Sequence, residues 1–296
     1  MKFTIMDGGM GRQLQRSGAP FRQPEWSALA LMEDPSYIRK VHNVFIEAGA
    51  EIITTNSYAV VPFHIGDHRF AERGEELLTS AGMIAREAAN GADVTVAGSV
   101  PPVFGSYITS GFDATEAKAI LGLFRDYLLP HVDIALAETI STYTEAVAFL
   151  DVFESCGKPV WLGISVEDLQ HEPGQPKLRS GEQLDAIFRL VKDRGVDALL
   201  FNCSKPEAMG DAVERAGEVL TDLCPIGVLP NAFAGIDTGC FSNETLNQIR
   251  PDLTPSVYGR FVDAWLDMGA SIVGGCCGIG PEHIAELKCI KSKVAD

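Results

Sequence analysis

Two adjacent cysteines bracketed by glycines, Gly274-Gly275-Cys276-Cys277-Gly278, are the residues of this 296-residue chain best suited to chemistry. A third cysteine, Cys203, closes an apolar run in Phe201-Asn202-Cys203-Ser204. Thiolates are soft donors and select zinc over magnesium or calcium. Three of them with the fourth tetrahedral position open is the arrangement of catalytic zinc, whereas structural zinc usually has four protein ligands. In a regular strand adjacent side chains point to opposite faces, so neighbouring cysteines share one ion only where the backbone is irregular. The flanking glycines permit such irregularity. A disulfide between Cys276 and Cys277 is the alternative for that pair. Cys156, Cys224, Cys240 and Cys289 have no partner ligands and read as small buried hydrophobes.

The elements that must position these thiols are legible as short apolar runs alternating with amphipathic helical stretches. The runs are Phe3–Asp7, Glu51–Thr55, Val94–Ser99, Asp133–Glu138, Val160–Ser165, Ala198–Asn202, Ile226–Pro230 and Ser271–Gly275. Each is continuously apolar rather than alternating, as expected of parallel strands covered on both faces. Between them lie helical patterns. After Asp34-Pro35-Ser36, for example, Ile38, Val41, Phe45 and Ala48 recur at helical spacing, and Gly49 suits the helix end. Eight such units predict a (β/α)8 TIM barrel, one domain spanning residues 1–296, with a doubly wound open sheet as the alternative. The long connections, at 56–68, 100–113, 166–180 and 231–254, all follow strands, so they gather at the mouth of a barrel. Cys203 ends the sixth strand and the cysteine pair ends the eighth, which brings all three to that mouth.

Composition bounds the partners. A formal net charge of −16 disfavours nucleic acid and an anionic membrane surface, which demand clustered cations. No run approaches the roughly 20 apolar residues of a membrane span, and none resembles a signal peptide. Seven cysteines, an odd number, do not make a secreted disulfide framework, and a reducing cytoplasm is the expected location.

The same residues carry a resemblance. Phe201-Asn202-Cys203-Ser204-Lys205-Pro206 and the run from Gly274 to Ile284 look like the two metal-binding signatures of the homocysteine S-methyltransferase family. Asp7-Gly8-Gly9-Met10-Gly11, the run from Glu51 to Tyr58, and Ala137-Glu138-Thr139-Ile140 fall where that family has its other blocks. The resemblance covers about residues 3 to 290 and implies a barrel, zinc on three cysteines, and methyl transfer to the thiol of homocysteine. One block departs from it. Members commonly show Gly-Pro-Tyr-Gly after the third strand, where this chain has Val100-Pro101-Pro102-Val103-Phe104-Gly105-Ser106-Tyr107.

Several polar residues at strand ends are candidates to hold the substrate. Carboxylates at Asp7 and Glu138 suit an amino-acid ammonium, and the resemblance assigns both to homocysteine; the plainer reading is a cap or a salt bridge. Gly8 and Gly9 can offer backbone N–H groups to a carboxylate. Thr55, Asn56, Ser99 and Asn202 are further candidates for substrate hydrogen bonds, each with an equally good structural reading, as has Asn231. Trp26, Tyr58 and Tyr107 can present ring faces to a sulfonium or ammonium donor. His283 reads as a cap or surface residue rather than a fourth ligand, and His64 with His68 as loop rather than a metal pair.

The reaction so implied is displacement of a methyl group from S-methylmethionine or S-adenosylmethionine by a zinc-bound thiolate. Betaine is a weaker donor candidate. Methyltetrahydrofolate is weaker still, because members using it carry folate and cobalamin domains. Two other classes compete: a zinc-dependent lyase or hydrolase on the same barrel, and a non-catalytic zinc or thiol sensor with a closed four-ligand site.

Overall fold

The computed structural model describes residues 2–170, 172–220, 222–234 and 246–295. Its eight strands are β1 (Thr4–Ile5), β2 (Ile52–Thr54), β3 (Thr95–Val100), β4 (Ile134–Ile140), β5 (Val160–Ile164), β6 (Ala198–Asn202), β7 (Ile226–Leu229) and β8 (Ile272–Val273). All are parallel and run in the order β1-β8-β7-β6-β5-β4-β3-β2. The free edges of β1 and β2 meet through the Met6–Ile52 bridge, with Asp7 N–H donating to Ile52 O at 2.9 Å and Glu51 N–H to Ile5 O at 2.8 Å. A sheet joined at both edges is a barrel, which excludes the doubly wound sheet.

Alternation along each strand divides the core into two layers. Ala198 and Leu200 of β6 join Met6, Ile52, Ala97, Leu136, Leu229 and Ile272 in the inner cluster. Leu199 and Phe201 pack instead into the outer cluster, between strands and helices. β1 and β8 are shorter than their apolar runs, although Met6 still bridges Ile52 and the Gly274 N–H still donates to Val228 O at 3.2 Å.

Helices follow the expected pattern. Ser36–Ala48 begins with Asp34 accepting from the Ser36 N–H at 3.2 Å and stops at Gly49, whose φ is 115°. Tyr143–Phe153 starts with a capping box between Thr142 and Glu145, and Ala114–Leu123 with Asp113 accepting from two N–H groups. Three short helices, Met10–Arg16, Ala28–Glu33 and Pro62–Ile65, escape the sequence pattern, since four to seven residues show no helical period. They lie in the connections after β1 and β2. No described helix is long and apolar enough to cross a membrane.

Candidate active site

The Sγ atoms of Cys203, Cys276 and Cys277 lie within 4.8 Å of one another, the one set of three potential ligands among the described residues. Cys203 and Cys276 are 2.8 Å apart at sulfur, and Cys276 and Cys277 3.9 Å. Cys203 takes a φ of 54°, a left-handed turn that ends β6 and tips its side chain into the mouth.

Backbone bonds lock the loops that carry these sulfurs. Cys276 N–H donates to Pro230 O, Ala232 N–H to Cys277 O and Gly275 N–H to Asp7 O, each at 2.8 Å. The glycines serve close approach more than unusual dihedrals. A Cβ at Gly275 would sit 2.3 Å from Ile279, one at Gly9 2.6 Å from the Cys276 carbonyl, and one at Gly8 2.3 Å from the Ile279 carbonyl. Of the three glycines beside the cysteine pair, only Gly278 has a positive φ, 87°.

Three thiolates this close repel one another, which favours a single negative charge on the cluster. Hydrogen bonds from the Cys276 and Cys277 thiols pull Cys203 well below the usual thiol range. Its charge and hydrogen bonding push Cys276 and Cys277 well above that range. A cation at the cluster would offset that repulsion and favour the ionised sulfurs. Zn–S bonds of about 2.3 Å put tetrahedral sulfurs about 3.8 Å apart, a spacing that Cys276 and Cys277 match at 3.9 Å and that Cys203 and Cys276, at 2.8 Å, would have to open to reach.

The cluster opens onto a cavity of about 500 Å³. Asp7, Gly8, Gly9, Thr55, Asn56, Ser99 and Glu138 line it, as do Trp26, Tyr58 and Tyr107. Burial pushes the Asp7 carboxyl up to about 8 and the Glu138 carboxyl up to about 7. Asp7 accepts from the Thr54 N–H at 2.8 Å and the Thr54 hydroxyl at 2.9 Å, and Glu138 accepts from Ser99 Oγ. No cation pairs with either carboxylate among the described residues, so neither is the salt-bridge partner of the plainer reading.

Other expected contacts are engaged elsewhere. Gly9 donates its N–H to Ile279 O at 2.9 Å, which takes it out of anion binding. Asn202 does not line the cavity; its Oδ1 accepts from the Thr139 N–H at 2.8 Å, steadying a residue whose φ is 59°. Thr55 Oγ1 accepts from the Ser99 N–H at 2.9 Å, and Asn56 Nδ2 donates to Ser27 O at 3.0 Å. Both are buried braces of the cavity wall. Asn231 is likewise buried and accepts from the Phe233 N–H at 3.1 Å.

His283 is buried, accepting from the Gly280 N–H at 3.1 Å through Nδ1 and facing Leu253 O at 2.9 Å through Nε2, so it caps backbone away from the surface. His64 is buried beside Pro24 O, while His68 pairs with Glu72 at 3.3 Å in the open. Cys224 is buried as expected and Cys156 partly so, but Cys289 is exposed, and Cys240 lies outside the described residues.

Arg12 and Arg179 also line the cavity and were not singled out by the sequence. Arg12 directly follows the glycine turn; Arg179 sits at the end of the long connection after β5, a position that marks the mouth but not the residue.

Comparison with known proteins agrees with this fold. Selenocysteine methyltransferase of Astragalus bisulcatus is 29% identical over 95% of this chain and 90% of its own. Homocysteine S-methyltransferase YbgG of Bacillus subtilis is 27% identical over 96% of this chain and 92% of its own. The homocysteine methyltransferase MmuM of Escherichia coli, in its metallated form, superposes with a TM-score of 0.79 at 24% identity, covering 98% of this chain and 96% of that one. The homocysteine S-methyltransferase family as a whole matches residues 4–290. On the length of that match, and with three sulfurs converging at a barrel mouth, the chain belongs to the homocysteine S-methyltransferase family.

Proposed function

We propose that the enzyme transfers a methyl group from a sulfonium donor to the thiol of homocysteine, with zinc held by Cys203, Cys276 and Cys277. The observation that carries this reading is one cavity lined by three clustered thiols and by two buried carboxylates that no cation among the described residues pairs with. Zinc bound there would lower the thiol's pKa, so that its proton is lost to solvent, and would fix the sulfur, where a free thiol near pKa 8.5 is only a few per cent ionised at neutral pH. The rest falls to the chain. Glu138 binds the substrate ammonium, with Asp7 beside it, and the Gly8 N–H faces the substrate carboxylate. Trp26 and Tyr58 wall the donor side and exclude water, so that alignment of donor and acceptor does most of the work. The free thiols suit a reducing, cytoplasmic setting. S-methylmethionine and S-adenosylmethionine are the donors to test, with betaine as control. Zinc-loaded protein with homocysteine should give methionine, detected by mass, with one of the two sulfonium compounds. A product from neither would reject the reading.

Glu138→Gln keeps size but removes the charge, costing one charge-assisted hydrogen bond, roughly 1.5–3 kcal/mol. The kcat/KM for homocysteine should then fall about 10- to 100-fold or somewhat more, with zinc content unchanged. The pH dependence has a definite sign. Glu138 titrates at about 7 in the empty site, so its charge is lost as pH falls. Binding of methionine, which has the ammonium but no thiol proton, should weaken by about tenfold per pH unit below that point. In Glu138→Gln the Glu138 share of this dependence should be lost, leaving that of Asp7, whose carboxyl burial pushes up to about 8. A simple thiol lacking the amino group should be little affected by the substitution; equal slowing of both acceptors would remove Glu138 from ammonium binding.

A further inference from the structure

The connection after β3, where the sequence departs from its relatives' usual pattern, folds over the cysteine cluster. Tyr107 in this loop takes a φ of 65°, a region side chains other than glycine rarely adopt. Its single hydroxyl proton is shared between the Cys203 carbonyl, 2.9 Å away, and Cys203 Sγ, 3.1 Å away. Its ring lies under the Arg179 guanidinium, 4.6 Å from the ring centre, so a face expected to meet the methyl donor already carries a cation.

Arg179 is fixed in turn. It pairs with Asp168 at 2.5 Å, both side chains being at most 5% exposed. The other Asp168 oxygen accepts from the Lys205 N–H at 2.9 Å, two residues past Cys203. The chain thus builds a closed circuit, from the backbone after Cys203 through Asp168, Arg179 and Tyr107 back to the Cys203 sulfur. Holding the backbone needs only the bond to the carbonyl. The bond to sulfur reaches the ligand atom itself.

We propose that Tyr107 is a positioning residue for the metal ligand Cys203, its hydroxyl aiming that sulfur at Cys276 and Cys277 and drawing electron density from it. This rests on the reading of the three cysteines as ligands. Hydrogen bonds from outside the ligand set commonly orient and tune a metal's donors in this way. The Arg179–Asp168 pair holds the phenol ring in place, so the hydroxyl meets the sulfur without a search.

The test is cobalt(II) titration of the reduced, metal-free protein, as wild type, Tyr107→Phe and Tyr107→Leu. Phenylalanine keeps the ring under Arg179 and removes only the hydroxyl. Tyr107→Phe should bind cobalt about 10- to 100-fold more weakly. Its sulfur-to-cobalt charge-transfer band should also move to longer wavelength, because a sulfur relieved of its hydrogen bond gives up an electron more easily. A band that stays at the wild-type position in Tyr107→Phe overturns the proposal, whatever the leucine variant does, since loss confined to Tyr107→Leu would mean ring packing alone. If wild type binds cobalt with no sulfur charge-transfer band, the ligand reading itself has failed and the proposal falls with it.

Discussion

Cys276→Ala is expected to strip the purified protein of zinc, from about one ion per chain in the wild type to none after gel filtration. Cys276 stands 2.8 Å from Cys203 and 3.9 Å from Cys277 at sulfur, so its removal takes out the central member of the cluster. Two thiolates and a water hold zinc far less tightly than three thiolates at this spacing. Activity should fall by more than the roughly 10- to 100-fold that loss of an outer hydrogen-bond partner costs a metal site. Cys203→Ala and Cys277→Ala should behave alike. Cys156→Ala should keep its zinc, because Cys156 is away from the cluster, with its sulfur against Lys158 O. Metal analysis on the four variants decides it, and zinc retained at one per chain in Cys276→Ala would sink the site.

Chelation followed by exposure to air should abolish activity. Without metal the three sulfurs are held as close together as before, and a cysteine made acidic by its neighbours is the first to be oxidised. Oxygen takes the two electrons and a disulfide forms. Geometry selects the pair: Cys203 and Cys276 are 2.8 Å apart, against 3.9 Å for Cys276 and Cys277. Peptide mapping should therefore find Cys203 joined to Cys276 rather than the vicinal pair. Zinc alone should not restore activity, whereas reductant plus zinc should. Full recovery on zinc alone after complete oxidation would show that these thiols are not the ligands.

The parts legible in the sequence were those set by local pattern. Runs such as Ala198–Asn202 and Val160–Ser165 read as strands covered on both faces, and eight of them in alternation with helices pointed to a barrel ahead of a doubly wound sheet. Cys203, Cys276 and Cys277 followed, because the ends of the sixth and eighth strands both open onto the barrel mouth. What was not legible depended on side-chain direction after the chain leaves the strand. Asn202 sits beside Cys203 in sequence, yet the left-handed turn sends the sulfur into the mouth while the amide turns back to Thr139. Gly9 looked like an anion binder, but its N–H closes the first loop onto the last. Tyr107, Arg179 and Asp168 come from two long connections, and no spacing in the sequence shows that they meet.

The most direct measurement is X-ray absorption at the zinc edge, on the zinc-loaded protein before and after homocysteine is added. Three protein sulfurs at about 2.3 Å should be present at the start, with one lighter ligand completing the tetrahedron. Homocysteine should raise the sulfur count to four at the same distance, and Cys276→Ala should show no such site. A count that stays at three with saturating homocysteine would contradict thiol binding at the metal, and a first shell without sulfur would contradict the site altogether.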